Sequence, residues 1–186
     1  MSEHTSDPEH DSPIPSCFRE DPPELLILDV DGVLTSNHIL LDGQGQEWKP
    51  FFIPDGVGIK MLRLIGVPTA LISGRKSEVT HRRAQELSID WHKSGVSNKA
   101  EATQELLEES KVAPHKAVFV GDDLIDLPAM EIVGLPVAVA NARPQVKRAA
   151  RAITQQRGGE GAVREVCEWI LHARGDWDRA LGAYLP

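Results

Sequence analysis

Two clusters of acidic residues in this chain each follow an apolar run. Leu25-Leu26-Ile27-Leu28 leads into Asp29-Val30-Asp31-Gly32-Val33-Leu34-Thr35, and Ala117-Val118-Phe119-Val120 leads into Gly121-Asp122-Asp123-Leu124-Ile125-Asp126. A carboxylate inside a buried strand is costly. Each cluster therefore belongs where a strand ends and its backbone opens towards a ligand. Asp29 and Asp31, two apart on extended backbone, project to the same side. They repel each other unless a cation lies between them or they share a proton. Oxygen ligands of this kind suit Mg²⁺, which takes one or two carboxylates and keeps water or substrate phosphate in its other positions. A carboxylate can also attack as a covalent nucleophile, and a second carboxyl group nearby can protonate a leaving alcohol. Gly32 permits a sharp turn and a close approach by phosphate. Alone, the first cluster reads equally well as an Asp-Gly turn after a strand. The second cluster, with Ser73 and Lys99 lying between the two in the chain, favours chemistry.

Ser73-Gly74-Arg75-Lys76 closes the apolar run Val67–Ile72 and precedes a helix expected over 77–87 with Ser77 as its cap. A hydroxyl and backbone N–H groups at such a junction point at an anion, helped by the helix dipole. Arg75 and Lys76 could face a substrate carboxylate or phosphate, or equally solvent. Lys99 opens a helix expected to run to about Ser110, where its charge opposes the dipole. It therefore has a reason to be engaged elsewhere, a solvated surface lysine being the alternative.

Strands and helices alternate from Leu25 onward, which predicts a doubly wound α/β domain built on a parallel sheet. Further strands are expected over 89–91, 135–140 and 152–153, and further helices over 55–66, with Asp55 as N-cap, over 144–150 and from 162. Segments on either side of Asp42-Gly43-Gln44-Gly45-Gln46 read as a short β-hairpin, about residues 36–53, where a larger cap domain could otherwise stand. Its Trp48, Phe51 and Phe52 suit either a subunit contact or packing on the parent domain. Residues 1–23 are rich in Asp, Glu, Ser, Pro and His and read as a disordered tail. The domain is expected over 24–174, and 175–186 as a C-terminal tail that either docks or frays.

At 186 residues, one domain is expected. A net charge of -8 argues against a nucleic-acid partner. No apolar run approaches the roughly 18 residues of a membrane span, and the N-terminus lacks a signal-peptide pattern. Cys17 and Cys167 fit neither a disulfide framework nor metal-ligand spacing, so a reduced, cytoplasmic setting is expected.

The stretch from Asp29 to Thr35 resembles the first motif of the haloacid dehalogenase superfamily of phosphotransferases. Ser73, Lys99 and Gly121–Asp126 are similar to its second, third and fourth. Asp55-Gly56-Val57-Gly58-Ile59-Lys60, the hairpin with Gly45 and Lys49, and the run Gly158-Gly159-Glu160-Gly161-Ala162-Val163-Arg164-Glu165-Val166-Cys167 extend the likeness. From Leu25 to about Ala173 the chain resembles the 3-deoxy-D-manno-octulosonate 8-phosphate phosphatase family.

The resemblance implies Asp29 as nucleophile, Asp31 as general acid/base, Ser73 as a hydrogen-bond donor to the phosphoryl group and Lys99 as its neutralising cation. It implies Mg²⁺ held by Asp29, Asp31 and Asp122, with Asp123 and Asp126 orienting waters, the loop or Lys99 from behind. Gly32, Gly74, Arg75 and Lys76 would line the substrate. The implied substrate is the phosphate ester of a 3-deoxy-2-ulosonic acid sugar from a lipopolysaccharide precursor pathway, and the implied assembly a homotetramer. The family pattern carries an Arg before the Asp-Gly at 55–56 and an aromatic after it. Pro54 and Val57 stand there, which bears on the sugar pocket and not on the chemistry. A 2-keto-3-deoxynononate 9-phosphate phosphatase and a non-catalytic sugar-phosphate-binding tetramerisation module are the alternatives, and the presence of both first-motif aspartates speaks against the second.

Overall fold

The structure is a computed structural model and describes residues 14–185. It begins with α1 (Ser16–Glu20) and β1 (Leu25–Leu28), followed by a two-stranded antiparallel hairpin of β2 (Leu40–Leu41) and β3 (Glu47–Trp48). The alternation then runs α2 (Ile53–Leu64), β4 (Thr69–Ser73), α3 (Glu78–Leu87), β5 (Trp91–Ser94), α4 (Lys99–Ser110) and β6 (Ala117–Gly121). It ends with α5 (Leu127–Met130), β7 (Leu135–Ala138), α6 (Pro144–Ala149), β8 (Ala152–Ile153), α7 (Ala162–Arg174) and α8 (Trp177–Gly182).

All four residues of β1 are apolar and buried, the condition of a strand covered on both faces. It pairs in parallel with β4 on one side and β6 on the other. The six-stranded sheet has the order β5-β4-β1-β6-β7-β8, parallel throughout. Helix α2 packs along α7, with α8 against both and α1 against α7, while α5 adjoins α4 and α6. The doubly wound α/β expectation holds. The chain leaves β1 towards one edge and returns to its other side at β6. Order therefore reverses at β1, where open α/β sheets place their ligands. Ser73, Asp29 and Asp122 stand at the ends of β4, β1 and β6.

Several expectations are corrected. The strand placed over 89–91 lies at Trp91–Ser94. Ser88 takes a left-handed conformation that closes α3, and Ile89 still donates to Ala84 of that helix. As an edge strand, half-exposed Trp91-His92-Lys93-Ser94 gives no apolar signature. The disordered tail expected over 1–23 is ordered where the structure describes it. Helix α1 buries Cys17 and Phe18, and Phe18 meets Trp169 of α7 edge-on at 5.6 Å. Burial of such a ring is worth roughly 1.5–3 kcal/mol, which a polar composition around one aromatic does not advertise. Residues 1–13 lie outside the described residues. At the other end, α8 buries Ala180 and Trp177 stacks on His172 at 4.6 Å, so this tail docks on its own chain. Cys17 and Cys167 are both buried and free.

Asp55 does not cap its own helix, which starts two residues earlier at Ile53. Its Oδ1 accepts from the backbone N–H of Arg164 in the first turn of α7, so it serves the neighbouring helix instead. Burial pushes its carboxyl up from 3.8 to about 6, against the pull of that N–H and of Arg164 and Arg83. The folded protein thus holds a proton that the unfolded chain releases above 3.8. This contribution to stability is fully present below 3.8 and is lost as pH rises through 6. Between pH 5 and 7 the wild type should lose about 1 kcal/mol relative to Asp55→Asn. Urea unfolding of both proteins across that range measures the difference, and parallel pH profiles would refute it.

Candidate active site

At the end of β1 the Asp29 backbone N–H is still held by Val120 of β6 at 3.1 Å, which fixes where its side chain begins. That side chain is buried, and its Oδ1 accepts from Lys99 Nζ at 2.6 Å. The same ammonium donates to Asp126 Oδ1 at 2.6 Å. Asn98 caps α4 by accepting from the N–H groups of Ala100 and Glu101, which orients Lys99 inward. The cation at a helix start is therefore engaged, as its unfavourable place requires. Asp126 Oδ2 accepts from the backbone of Asp122 and Asp123 at 2.9 and 3.2 Å, so both its oxygens are in use. Asp122 Oδ2 accepts from Asn37 Nδ2 at 2.9 Å. Gly32 is required between these parts: at φ +103° its backbone passes so close that a Cβ would lie 2.1 Å from Asp122 Oδ2. Gly158 backs the same turn, since a Cβ there would meet the Gly32 carbonyl at 1.7 Å.

Carboxylates of Asp29, Asp122 and Asp126 lie within 4.8 Å of one another, all buried. One ammonium faces three acids. Desolvation pushes Asp122 up to about 7, with the charges of Asp29, Asp126 and Asp123 adding to it. Burial likewise raises Asp29 to about 6 against the attraction of Lys99. Burial alone would lower Lys99, but Asp29 and Asp126 outweigh it and hold it raised. This surplus of buried negative charge on hard oxygen donors fits Mg²⁺. With Asp126 committed to Lys99 and the backbone, the side-chain donors left for an ion are Asp29 and Asp122. Asp31, expected among the ligands, lines the same cavity as Asp29 and Asp122, with its Oδ1 paired to Lys49 Nζ of the hairpin at 2.7 Å.

A cavity of about 170 Å³ is lined by Asp29, Asp31, Asn37, Ser73, Gly74 and Arg75, with Asp122, Asp123 and Ile125. It is of a size for a phosphoryl group and smaller than the roughly 300–1,000 Å³ of a typical small-molecule site. Ser73 is buried, and its hydroxyl contacts the backbone of Arg75 at 3.2 Å. Arg75 reaches Glu47 of β3 at 3.1 Å. Lys76 is not brought to this cavity. It lies in a separate cleft of about 470 Å³ with Trp48, Ser77, Val79 and Arg82, its methylenes against Gly95. That cleft is larger, but the paired acids and the central lysine lie outside it.

The haloacid dehalogenase-like hydrolase family matches residues 70–166. The 3-deoxy-D-manno-octulosonate 8-phosphate phosphatase of Escherichia coli (strain K12) is 46% identical over 158 residues, 85% of this chain and 84% of that protein. The chain belongs to this phosphatase family of haloacid dehalogenase-like hydrolases. The family's enzyme from Yersinia pestis has a crystal structure that superposes with a TM-score of 0.84 at 41% identity, covering 87% of this chain and 88% of that one. Its counterpart from Moraxella catarrhalis, solved with magnesium, phosphate and KDO, superposes with a TM-score of 0.86 at 34% identity over 90% and 97% of the two chains.

Sequence reasoning gave no role to three residues that the structure places around this site. Asn37 reaches Asp122 from a left-handed backbone position, φ 65°, a conformation Asn tolerates. Glu47 and Lys49 flank Trp48 in β3, and strand alternation puts both on the side opposite the tryptophan. That alternation was the available signal.

Proposed function

We propose that this chain hydrolyses the phosphate monoester of a 3-deoxy-2-ulosonic acid sugar, 3-deoxy-D-manno-octulosonate 8-phosphate, through an aspartyl-phosphate on Asp29. The observation that carries it is the placement of Asp29: buried at the β1 end, held by Lys99 through one oxygen, beside Asp122, in one cavity with Ser73 and Asp31. Asp29 Oδ2 is left to attack phosphorus. Asp31 gives a proton to the leaving sugar oxygen as the P–O bond breaks, then takes one from the water that attacks the aspartyl-phosphate. Ser73 and Lys99 donate to the phosphoryl oxygens, offsetting charge, which is most of what this chemistry demands of a protein. Mg²⁺ held by Asp29 and Asp122 would neutralise further charge on those oxygens. Asp123 and Asp126 act from behind, Asp126 by holding Lys99 and the loop. Gly32 and Gly74 let the phosphate approach the backbone, and Arg75 faces the rest of the substrate.

Phosphate release should depend on Mg²⁺, stop in EDTA, and favour the octulosonate ester over 2-keto-3-deoxynononate 9-phosphate and common hexose phosphates. Preference for the nononate ester would keep the mechanism and move the substrate. No Mg²⁺-dependent release from any of them would leave a sugar-phosphate-binding module.

The cavity is small and partly open to solvent, and the hairpin exposes Leu40, Leu41 and Trp48. Both support assembly into a homotetramer in which a neighbouring copy encloses the sugar. Among the described residues no helix is long and apolar enough to cross a membrane, in keeping with a cytoplasmic enzyme. Light scattering should give a tetramer for the wild type and smaller species for Trp48→Glu; a wild-type monomer would refute the assembly.

A further inference from the structure

Lys49 is the least expected charge in the molecule. The hairpin that carries it is otherwise open to solvent, with Leu40 and Trp48 more than half exposed, yet the Lys49 side chain is fully buried. A lysine that merely anchored a hairpin would extend its stem over the surface and keep its ammonium in water. Taking the ammonium inside costs several kcal/mol unless a partner repays it. The partner is Asp31, at 2.7 Å. Asp31 Oδ1 is buried and, among the described residues, finds no hydrogen-bond partner besides this ion pair. Around Lys49 Nζ, Thr80 Oγ1 of α3 lies at 3.4 Å and Glu47 Oε1 at 3.7 Å. Glu47 in turn accepts from the Ser77 hydroxyl at 2.6 Å and pairs with Arg75 at 3.1 Å. Alternating charges thus run from Arg75 in the cavity through Glu47 and Lys49 of the hairpin to Asp31.

We propose that Lys49 is a positioning residue for proton transfer. It ties down Oδ1 of Asp31, so that Oδ2 alone remains to exchange a proton with the leaving oxygen, and it makes that orientation conditional on the hairpin being seated against α3. The proposal rests on the acid/base reading of Asp31 given above. Among the described residues the Lys49 ammonium meets Asp31, Glu47 and Thr80 and not the nucleophile Asp29.

The test compares kcat/KM for two esters, because that ratio covers only the steps through departure of the leaving group. A sugar-acid phosphate releases an alkoxide that must be protonated; p-nitrophenyl phosphate releases a phenolate that needs no proton. Lys49→Met should lower kcat/KM for the alkyl ester by roughly 10–100-fold more than for the aryl ester. Lys49→Arg should recover much of it, and Lys49→Met added to Asp31→Asn should cost little beyond Asp31→Asn alone. Comparing two esters on one preparation cancels any loss of folded enzyme. Equal losses on both esters, with Asp31→Asn still discriminating between them, would show that Lys49 only holds the hairpin and would overturn the proposal. If Asp31→Asn itself fails to discriminate, the acid/base role of Asp31 falls and this role of Lys49 falls with it. An inactive wild type would instead defeat the phosphatase reading.

Discussion

Asp29→Asn should abolish turnover, by roughly four orders of magnitude or more, while the protein folds as well as before. The amide keeps the shape of the carboxylate and lacks its nucleophilic oxygen. Stability should not suffer, because the replacement removes one of three buried acids around a single ammonium. Asp126 remains to pair with Lys99, so no buried charge is orphaned. Phosphate release and thermal unfolding of the variant measure the two halves separately. An active variant would refute Asp29 as nucleophile; a grossly unstable one would refute the surplus-charge account of the cluster.

Lys99→Met should lose stability as well as activity. The methionine matches the length of the aliphatic stem, but Asp29 and Asp126 are then buried with their common partner gone. Removing one member of a buried ion pair costs about 3–5 kcal/mol, a large share of the 5–15 kcal/mol typical of a domain. In EDTA the full loss should appear. Mg²⁺ should restore part of it by supplying the missing positive charge, and Asp126→Asn in the same chain should restore part of it without metal. Loss of the cation should also slow phosphate release by about a thousandfold even where the variant is folded. Denaturant unfolding with and without Mg²⁺ checks this. A Lys99→Met protein as stable as the wild type in EDTA would mean that the carboxylates are protonated and the lysine is not their counter-ion.

Much of this site was readable because its residues sit at strand ends. A buried strand that breaks into acids, as at Leu28–Asp29 and Gly121–Asp122, states both its place in the sheet and its need for a cation. Lys99 was readable from a local conflict, a positive charge at a helix start, and the structure resolves that conflict with two acids. What the chain does not announce are partnerships across its length. The spacing of Asp31 from Asp29 signals a shared cation, but not that one of its oxygens faces a lysine eighteen residues on, carried there by the hairpin. Asp55 looked like a cap for its own helix, yet it caps one more than a hundred residues away. Lys76 sits beside Arg75 in the chain, but the turn into α3 sends the two side chains to different clefts. Local pattern gives each residue's need; only the packed chain shows who meets it.

In this mechanism phosphorus passes through Asp29. Rapid acid quench of the enzyme with phosphate-labelled octulosonate ester, followed by borohydride reduction and peptide mass spectrometry, tests it most directly. Label should appear on the chain during turnover and residue 29 should be reduced to homoserine, and neither should occur in Asp29→Asn. Label at another residue, or steady phosphate release with no covalent label formed at a competent rate, would contradict it.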